Sequence, residues 1–223
     1  MLERTDEAGR HLRPASLLGA LRERTGDLHT QAERSGIIAD ILHGRATREA
    51  YILLLRNLLP VYQALEEGLA RVSGSPLIGP IGRPELARAG AIAADLRHLS
   101  VDMAAIPLVA ETAGYVAAIR AASDGEGGRL IAHAYARYLG DLSGGQILKK
   151  LLARSLALGP DALTFYEFPA IADLAAFKAD YRAAIDRAGD EIDDFDAIVE
   201  EGALAFRLNI ALSVALQAAI TRR

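Results

Sequence analysis

Tyr135-Ala136-Arg137-Tyr138-Leu139-Gly140-Asp141-Leu142-Ser143-Gly144-Gly145-Gln146 is the stretch on which the fold turns. It is flanked by helix-forming sequence on both sides. Ile147-Leu148-Lys149-Lys150-Leu151-Leu152 follows it at once. Three glycines inside six residues cost a helix roughly 3 kcal/mol, at about 1 kcal/mol each against alanine. Something must offset that cost. A helix end is one explanation, but the helical pattern resumes directly. Close packing of two helices is a second. The third is a large flat ligand lying against bare backbone. Gly140 and Gly144 are four apart and share one helix face, so they make a strip long enough for a macrocycle. Asp141 and Ser143 set polar groups beside it, where water could be held. Bending at the glycines would let the helix move as ligand enters and product leaves. The pattern is not a phosphate loop, because it follows a helix and lacks the Gly-Lys-Ser/Thr ending.

Working outward, the rest of the chain reads as helix. Ala, Leu, Arg and Glu dominate and β-branched runs are short, which predicts an all-α protein. Ser16 caps a helix running to about Ser35, and Thr47 opens one over roughly 47–72 with Glu49 in its first turn. Residues 73–84 are a Gly/Pro loop. Further helices are expected over about 85–99, 107–122, 129–158 with an interruption, 171–189 and 193–222. Short loops predict antiparallel neighbours.

The length, 223 residues, suits one domain. The expected division is a loose polar tail over 1–15 and one domain over 16–223. There is no cysteine. That excludes disulfides, thiolate metal sites and a cysteine nucleophile, and fits a cytoplasmic setting. A net charge of −4 gives no global basic field for nucleic acid. No apolar run of about 18 residues is read as a membrane span. The start lacks the apolar centre of a secretory signal, and no C-terminal anchor is expected.

The histidines are His11, His29, His43, His98 and His133. At about 100° per residue, Leu18, Arg22, Thr25 and His29 share a helix face, beside the apolar stripe Leu17, Leu21, Leu28 and Ala32. His29 therefore sits at the core's edge, with Glu33 one turn on. It is either an ordinary helix histidine with one polar contact or a single axial ligand to a haem iron. It has no partner at zinc spacing.

Leu28-His29-Thr30-Gln31-Ala32-Glu33 and the Tyr135–Gln146 segment closely resemble the two signature segments of the haem oxygenase family. Thr47-Arg48-Glu49, Pro84-Glu85-Leu86, Phe168-Pro169 and Phe206-Arg207-Leu208-Asn209-Ile210 are similar to family segments in the same order. The resemblance covers about residues 16–220. It implies an all-α, single-domain multi-helix fold with haem between a proximal and a distal, glycine-kinked helix. It implies that haem b is both substrate and cofactor. O2 and electrons from a partner would open the ring to biliverdin, carbon monoxide and ferrous iron.

Residue by residue, the resemblance makes His29 the proximal iron ligand. Gly140 and Gly144 become the distal glycines. Asp141 becomes the residue that organises water to protonate an iron-bound peroxide. Tyr62, Arg137 and Asn209 would support that network, with Ser143 beside it and Phe206 as an apolar wall. Arg22, Tyr135, Lys178 and Arg182 would hold the propionates. Lys178 and Arg182 are four apart, a repulsion that an anion between them would relieve; a solvated face softened by Asp180 is the plainer alternative. Gly26 and Ser213 depart from residues found in some members, which leaves α-meso cleavage as the default expectation only.

Lys149, Lys150 and Arg154 form a basic patch that is either a solvated helix end or a dock for an electron donor such as a ferredoxin, flavodoxin or flavin reductase. A monomer is expected. Two other functions compete: a haem carrier on the same fold without turnover, and a helical hydrolase of the thiaminase type. The latter uses a cysteine, which this chain lacks.

Overall fold

The structure is a computed structural model that describes residues 16–100 and 102–222. The expected tail over 1–15 lies outside the described residues. Among the described residues there is no strand. In chain order the helices are α1 (Leu17–Glu33), α2 (Gly36–Leu42), α3 (Arg48–Arg71), α4 (Ala89–His98), α5 (Ala110–Ala122), α6 (Leu130–Ala134), α7 (Gly144–Leu156), α8 (Leu174–Glu191) and α9 (Phe195–Thr221). A π turn over Tyr135–Leu139 follows α6.

Helix starts follow local chemistry. The Ser16 hydroxyl accepts the Gly19 N–H at 3.1 Å, and Thr47 accepts the Ala50 N–H at 3.2 Å. Each satisfies a donor that the first turn leaves orphaned. Asp173 does the same for α8, accepting from Ala175 and Ala176. The Gly/Pro stretch over 73–84 is irregular as expected, and the following helix begins at Ala89 rather than 85 because Pro84–Leu86 forms a separate 3-10 turn. Likewise α5 begins at Ala110, three residues beyond Pro107.

α9 is the axis of the molecule. It packs against α1, α2, α3, α5 and α6. By length and composition it could cross a membrane, which the search for apolar runs did not anticipate. It packs against five other helices, with 39% of its most apolar window buried. α1 lies so close to α9 that a Cβ on Gly202 would stand 2.5 Å from Leu21 Cδ2.

One helix was not expected. α2 occupies residues treated above as the connection after α1. It opens on Gly36 at φ 61°, and a Cβ there would fall 2.3 Å from the Ser213 backbone carbon. Only glycine meets both demands. The Ser213 hydroxyl accepts the Ile38 N–H and donates to the Ser35 carbonyl, both at 3.2 Å. Ser213 therefore ties α2 to α9.

Candidate functional site

A cleft of ≈ 320 Å³ opens between α1, α2, α9 and the segment joining α6 to α7. That volume falls in the range of small-molecule sites, about 300–1,000 Å³. One wall is α1. Its start is fixed by Asp186 of α8, which accepts the Leu18 N–H at 2.8 Å. Three turns on, His29 reaches the cleft with its side chain 60% exposed. Its Nδ1 lies 3.8 Å from Glu33 Oε1, which leaves Nε2 as the nitrogen for a ligand. Phe206 of α9 stands beside it, ring centroids 6.0 Å apart, and beside Tyr135 at 6.3 Å.

The other wall is the glycine segment. The helix is interrupted at Leu142–Ser143, where Ser143 adopts φ −120° and ψ −77°. The π turn lies upstream of the glycines, a position the expectation of bending at the glycines did not include. π turns are frequent at functional sites. A Cβ added at Gly140 or Gly144 meets nothing within 4 Å beyond its own helix, and both residues line the cleft. Close helix packing therefore does not explain these two glycines. It does account for Gly145, whose added Cβ would stand 3.3 Å from Tyr166.

Behind this wall runs a buried polar chain. The Tyr62 hydroxyl, on α3, donates a short hydrogen bond to Asp141 Oδ2. It accepts from Arg137 Nε at 3.0 Å and Nη2 at 2.8 Å. Arg137 Nη1 donates to Asn209 Oδ1 at 2.7 Å, and Arg137 Nη2 lies 3.7 Å from Asp141 Oδ1. Burial raises the Asp141 carboxyl above the usual carboxylate range, with Arg137 and the Tyr62 hydrogen bond opposing it. Burial also works against the Arg137 charge, but Tyr62 and Asp141 outweigh it and its pKa is raised. Tyr62 is pushed well above its ordinary value, chiefly by burial, so its hydroxyl keeps its proton.

The cleft thus brings together Arg22, His29, Tyr135, Arg137, Gly140, Asp141, Ser143, Gly144, Arg182, Phe206 and Asn209, contributed by four separate parts of the chain. Tyr62 is not on its surface; it is fully buried behind Asp141 and acts through it. Lys178 does not line the cleft; it is half-buried one turn before Arg182 on α8. Asp180 does not soften that pair, because it is bonded to Arg83 at 2.6 Å. Tyr181 turns away, donating to the Ile81 carbonyl. Lys149 is not free either: it pairs with Glu167 at 2.6 Å, while Lys150 and Arg154 are exposed.

Gly26 is exposed with open space around it. Ser213 lines the cleft, but its hydroxyl is committed to α2.

Sequence reasoning missed the contribution of α2, which supplies Ile38 and Leu42 to the lining. The apolar pairs Ile37-Ile38 and Ile41-Leu42 behind Ser35 carried that signal. It also missed Leu54, Leu58, Ile147 and Leu148. Ile147 is 57% exposed, an apolar side chain that a ligand in the cleft would cover.

Among the described residues no group of three His, Asp or Glu side chains forms a metal cluster. His29 therefore offers a single nitrogen, which suits an iron already held by four porphyrin nitrogens.

Comparison with known proteins accords with this geometry. The family pattern described as Heme oxygenase matches residues 15–215. Heme oxygenase 1 of Homo sapiens is 37% identical over 213 residues, covering 93% of this chain and 74% of the relative. The crystal structure of heme oxygenase-1 from the cyanobacterium Synechocystis sp. PCC6803 in complex with heme superposes with a TM-score of 0.86 at 35% identity, covering 93% of this chain and 95% of that one. The TenA homologue protein from P. horikoshii OT3 superposes with a TM-score of 0.70 at 13% identity, over 92% of this chain and 99% of that one; it shares the fold alone.

Proposed function

The chain belongs to the haem oxygenase family and is an enzyme that degrades haem, and from that premise we propose the part each cleft residue plays. The cleft fits the group. It has one unshared imidazole on α1, a bare backbone strip at Gly140 and Gly144, apolar side chains between them, and the cations Arg22 and Arg182 for two propionates. When bound, haem supplies the iron that takes O2 and the ring that is opened to biliverdin, carbon monoxide and ferrous iron.

His29 ligates the iron through Nε2, and Glu33 steadies the other ring nitrogen. Gly140 and Gly144 allow the macrocycle to approach the helix closely. Asp141 holds water beside that face and orients it to deliver a proton. Tyr62, Arg137 and Asn209 keep the Asp141 carboxylate in place. Ser143 adds a hydroxyl at the same wall and Phe206 closes the side next to His29. Arg22, Arg182 and Tyr135 hold the propionate edge, with Lys178 reaching it from the turn before Arg182. Electrons come from an acidic donor of the ferredoxin or flavodoxin class that docks at Lys150 and Arg154, and the working unit is the monomer.

The observation that carries this reading is the open space at Gly140 and Gly144 directly in front of the buried Asp141–Tyr62–Arg137–Asn209 chain. A carrier would need the space but not the chain. The test is single-turnover conversion of the one-to-one haem complex with O2 and a reductant, with identification of the verdin isomer. Appearance of a verdin is expected. Cycling between ferric and ferrous haem with the ring intact would overturn it.

A further inference from the structure

At seven residues α2 is too short to be stable by itself, and it does not hold its own start. Its N-cap residue, Ser35, makes no side-chain cap bond; the hydroxyl donates instead to the Gln31 carbonyl at 2.7 Å. The cap comes from another helix. Ser213 of α9, only 3% exposed, accepts the Ile38 N–H at 3.2 Å and donates to the Ser35 carbonyl at 3.2 Å. Ile38 is the third residue of α2, whose N–H an N-cap side chain would ordinarily take. The hydroxyl thus uses its one hydrogen and a lone pair at once. One turn further along α9, Gln217 Nε2 donates to Asp40 Oδ2 at 2.6 Å, a second tie between the same two helices.

What is held this way is a wall of the cleft. Ile37 and Ile41 are buried in the core, while Ile38 and Leu42, four apart on one face, line the cleft. Besides α9, α2 packs against α1, which carries His29, and against α7, which opens on Gly144. Its placement therefore bears on both walls. One axial nitrogen fixes a single point of a macrocycle and leaves rotation about that bond open. Four similar ring edges then compete for each wall, and a firm apolar surface is needed to choose among them.

We propose that Ser213 is a positioning residue: its hydroxyl caps α2 from α9, and α2 so fixed presents Ile38 and Leu42 as the surface that sets the rotation of the macrocycle in the cleft, and with it the verdin isomer. The role rests on the proposed seating of haem on His29.

The first test needs no haem. Amide hydrogen exchange of the full-length chain, read at Ile38, reports the cap directly. Ser213→Ala should speed that exchange by about three- to tenfold, the weight of one buried hydrogen bond. An Ile38 amide indifferent to Ser213→Ala would overturn the proposal.

The second test adds haem. Methyl proton resonances of the ferric cyanide complex report the rotation of the ring, and product analysis reports the verdin isomers. Ser213→Ala should raise the share of the minor rotation and of the minor isomer by about three- to tenfold, with the histidine-ligated spectrum retained. Gln217→Leu, which frees α2 at Asp40, should shift both in the same direction. Thr112→Ala removes a buried hydroxyl from α5, which lends no residue to the cleft lining; it should change neither. Unchanged rotation and isomer ratio in Ser213→Ala, or an equal shift in Thr112→Ala, would reduce Ser213 to a structural role and overturn the proposal. An unchanged haem spectrum in His29→Ala would instead sink the seating on His29 and leave the Ile38 result standing, so the two failures are distinguishable.

Discussion

Asp141 is held where its own charge is unfavourable. Burial raises its pKa above 3.8, and Arg137 and Tyr62 only partly offset this. Between 3.8 and its raised native value, the folded chain binds more protons than the unfolded chain, so stability falls as pH rises through that window. Above the native value the cost is complete and constant. Asp141→Asn removes that titration. Denaturant unfolding of the haem-free protein should therefore show wild type losing stability relative to Asp141→Asn as pH rises from about 4 and then running parallel. A relative gain over that window would contradict the sign of the shift.

His29 tests the other wall. His29→Ala should abolish the histidine-ligated haem spectrum and leave thermal stability of the haem-free chain within about 0.5 kcal/mol, since the side chain is mostly exposed. An unchanged spectrum would reassign the ligand. His29 was legible as a core-edge residue from helix period, and Asp141 as a polar group beside the glycine strip. Tyr62 was not, because its bond to Asp141 spans 79 residues and leaves no local pattern; only resemblance pointed to it. His133 was counted among the histidines but unplaced, since its partner Glu201 is 68 residues away.

At the scale of elements, the glycine-broken segment sets stability against function. Helix preference favours alanine over glycine by about 1 kcal/mol, and no neighbour opposes a Cβ at Gly140 or Gly144. Gly144→Ala should thus leave the haem-free fold as stable or up to about 1 kcal/mol more stable. It should still weaken haem binding and turnover, because the methyl enters the cleft. Thermal melts paired with haem titration check both halves, and a destabilised variant with normal haem affinity would overturn the assignment.

Gly36→Ala should do the reverse. Its positive φ and the approach to Ser213 should cost about 2–4 kcal/mol, the sum of backbone strain and overpacking. The interruption of the long helix was legible because glycine carries its own penalty. The π turn was not, because nothing in Tyr135–Leu139 departs from good helix-forming sequence. α2 was missed for a related reason: seven residues opening on a left-handed glycine are too short to display a helical period.

For the whole molecule, charge and architecture meet on α7. The all-helical class was legible from propensity alone, but the way α9 gathers five helices around it depends on contacts distant in sequence. The chain is acidic overall, at −4, so a basic face able to attract an acidic donor must be local. α7 supplies one at Lys150 and Arg154, four residues apart and both exposed. Lys149, paired with Glu167, contributes less.

The same helix begins at Gly144, in the cleft wall. Ten residues separate Gly144 from Arg154, which is about 15 Å along the axis at 1.5 Å per residue. A donor seated there would sit on the same helix that supplies Gly144, Ile147 and Leu148 to the cleft wall. Charges at the rim of a docking surface act mainly on the association rate and are screened beyond about 10 Å at 0.1 M salt. The double variant Lys150→Glu with Arg154→Glu should therefore raise the KM for a reduced ferredoxin by about three- to tenfold at low salt. Added salt should narrow the gap between the variant and wild type. Turnover driven by a small neutral reductant should be unaffected by either change, because no docking is involved. Equal losses with both reductants would locate the defect in the cleft, and no loss with ferredoxin would remove the donor from this face.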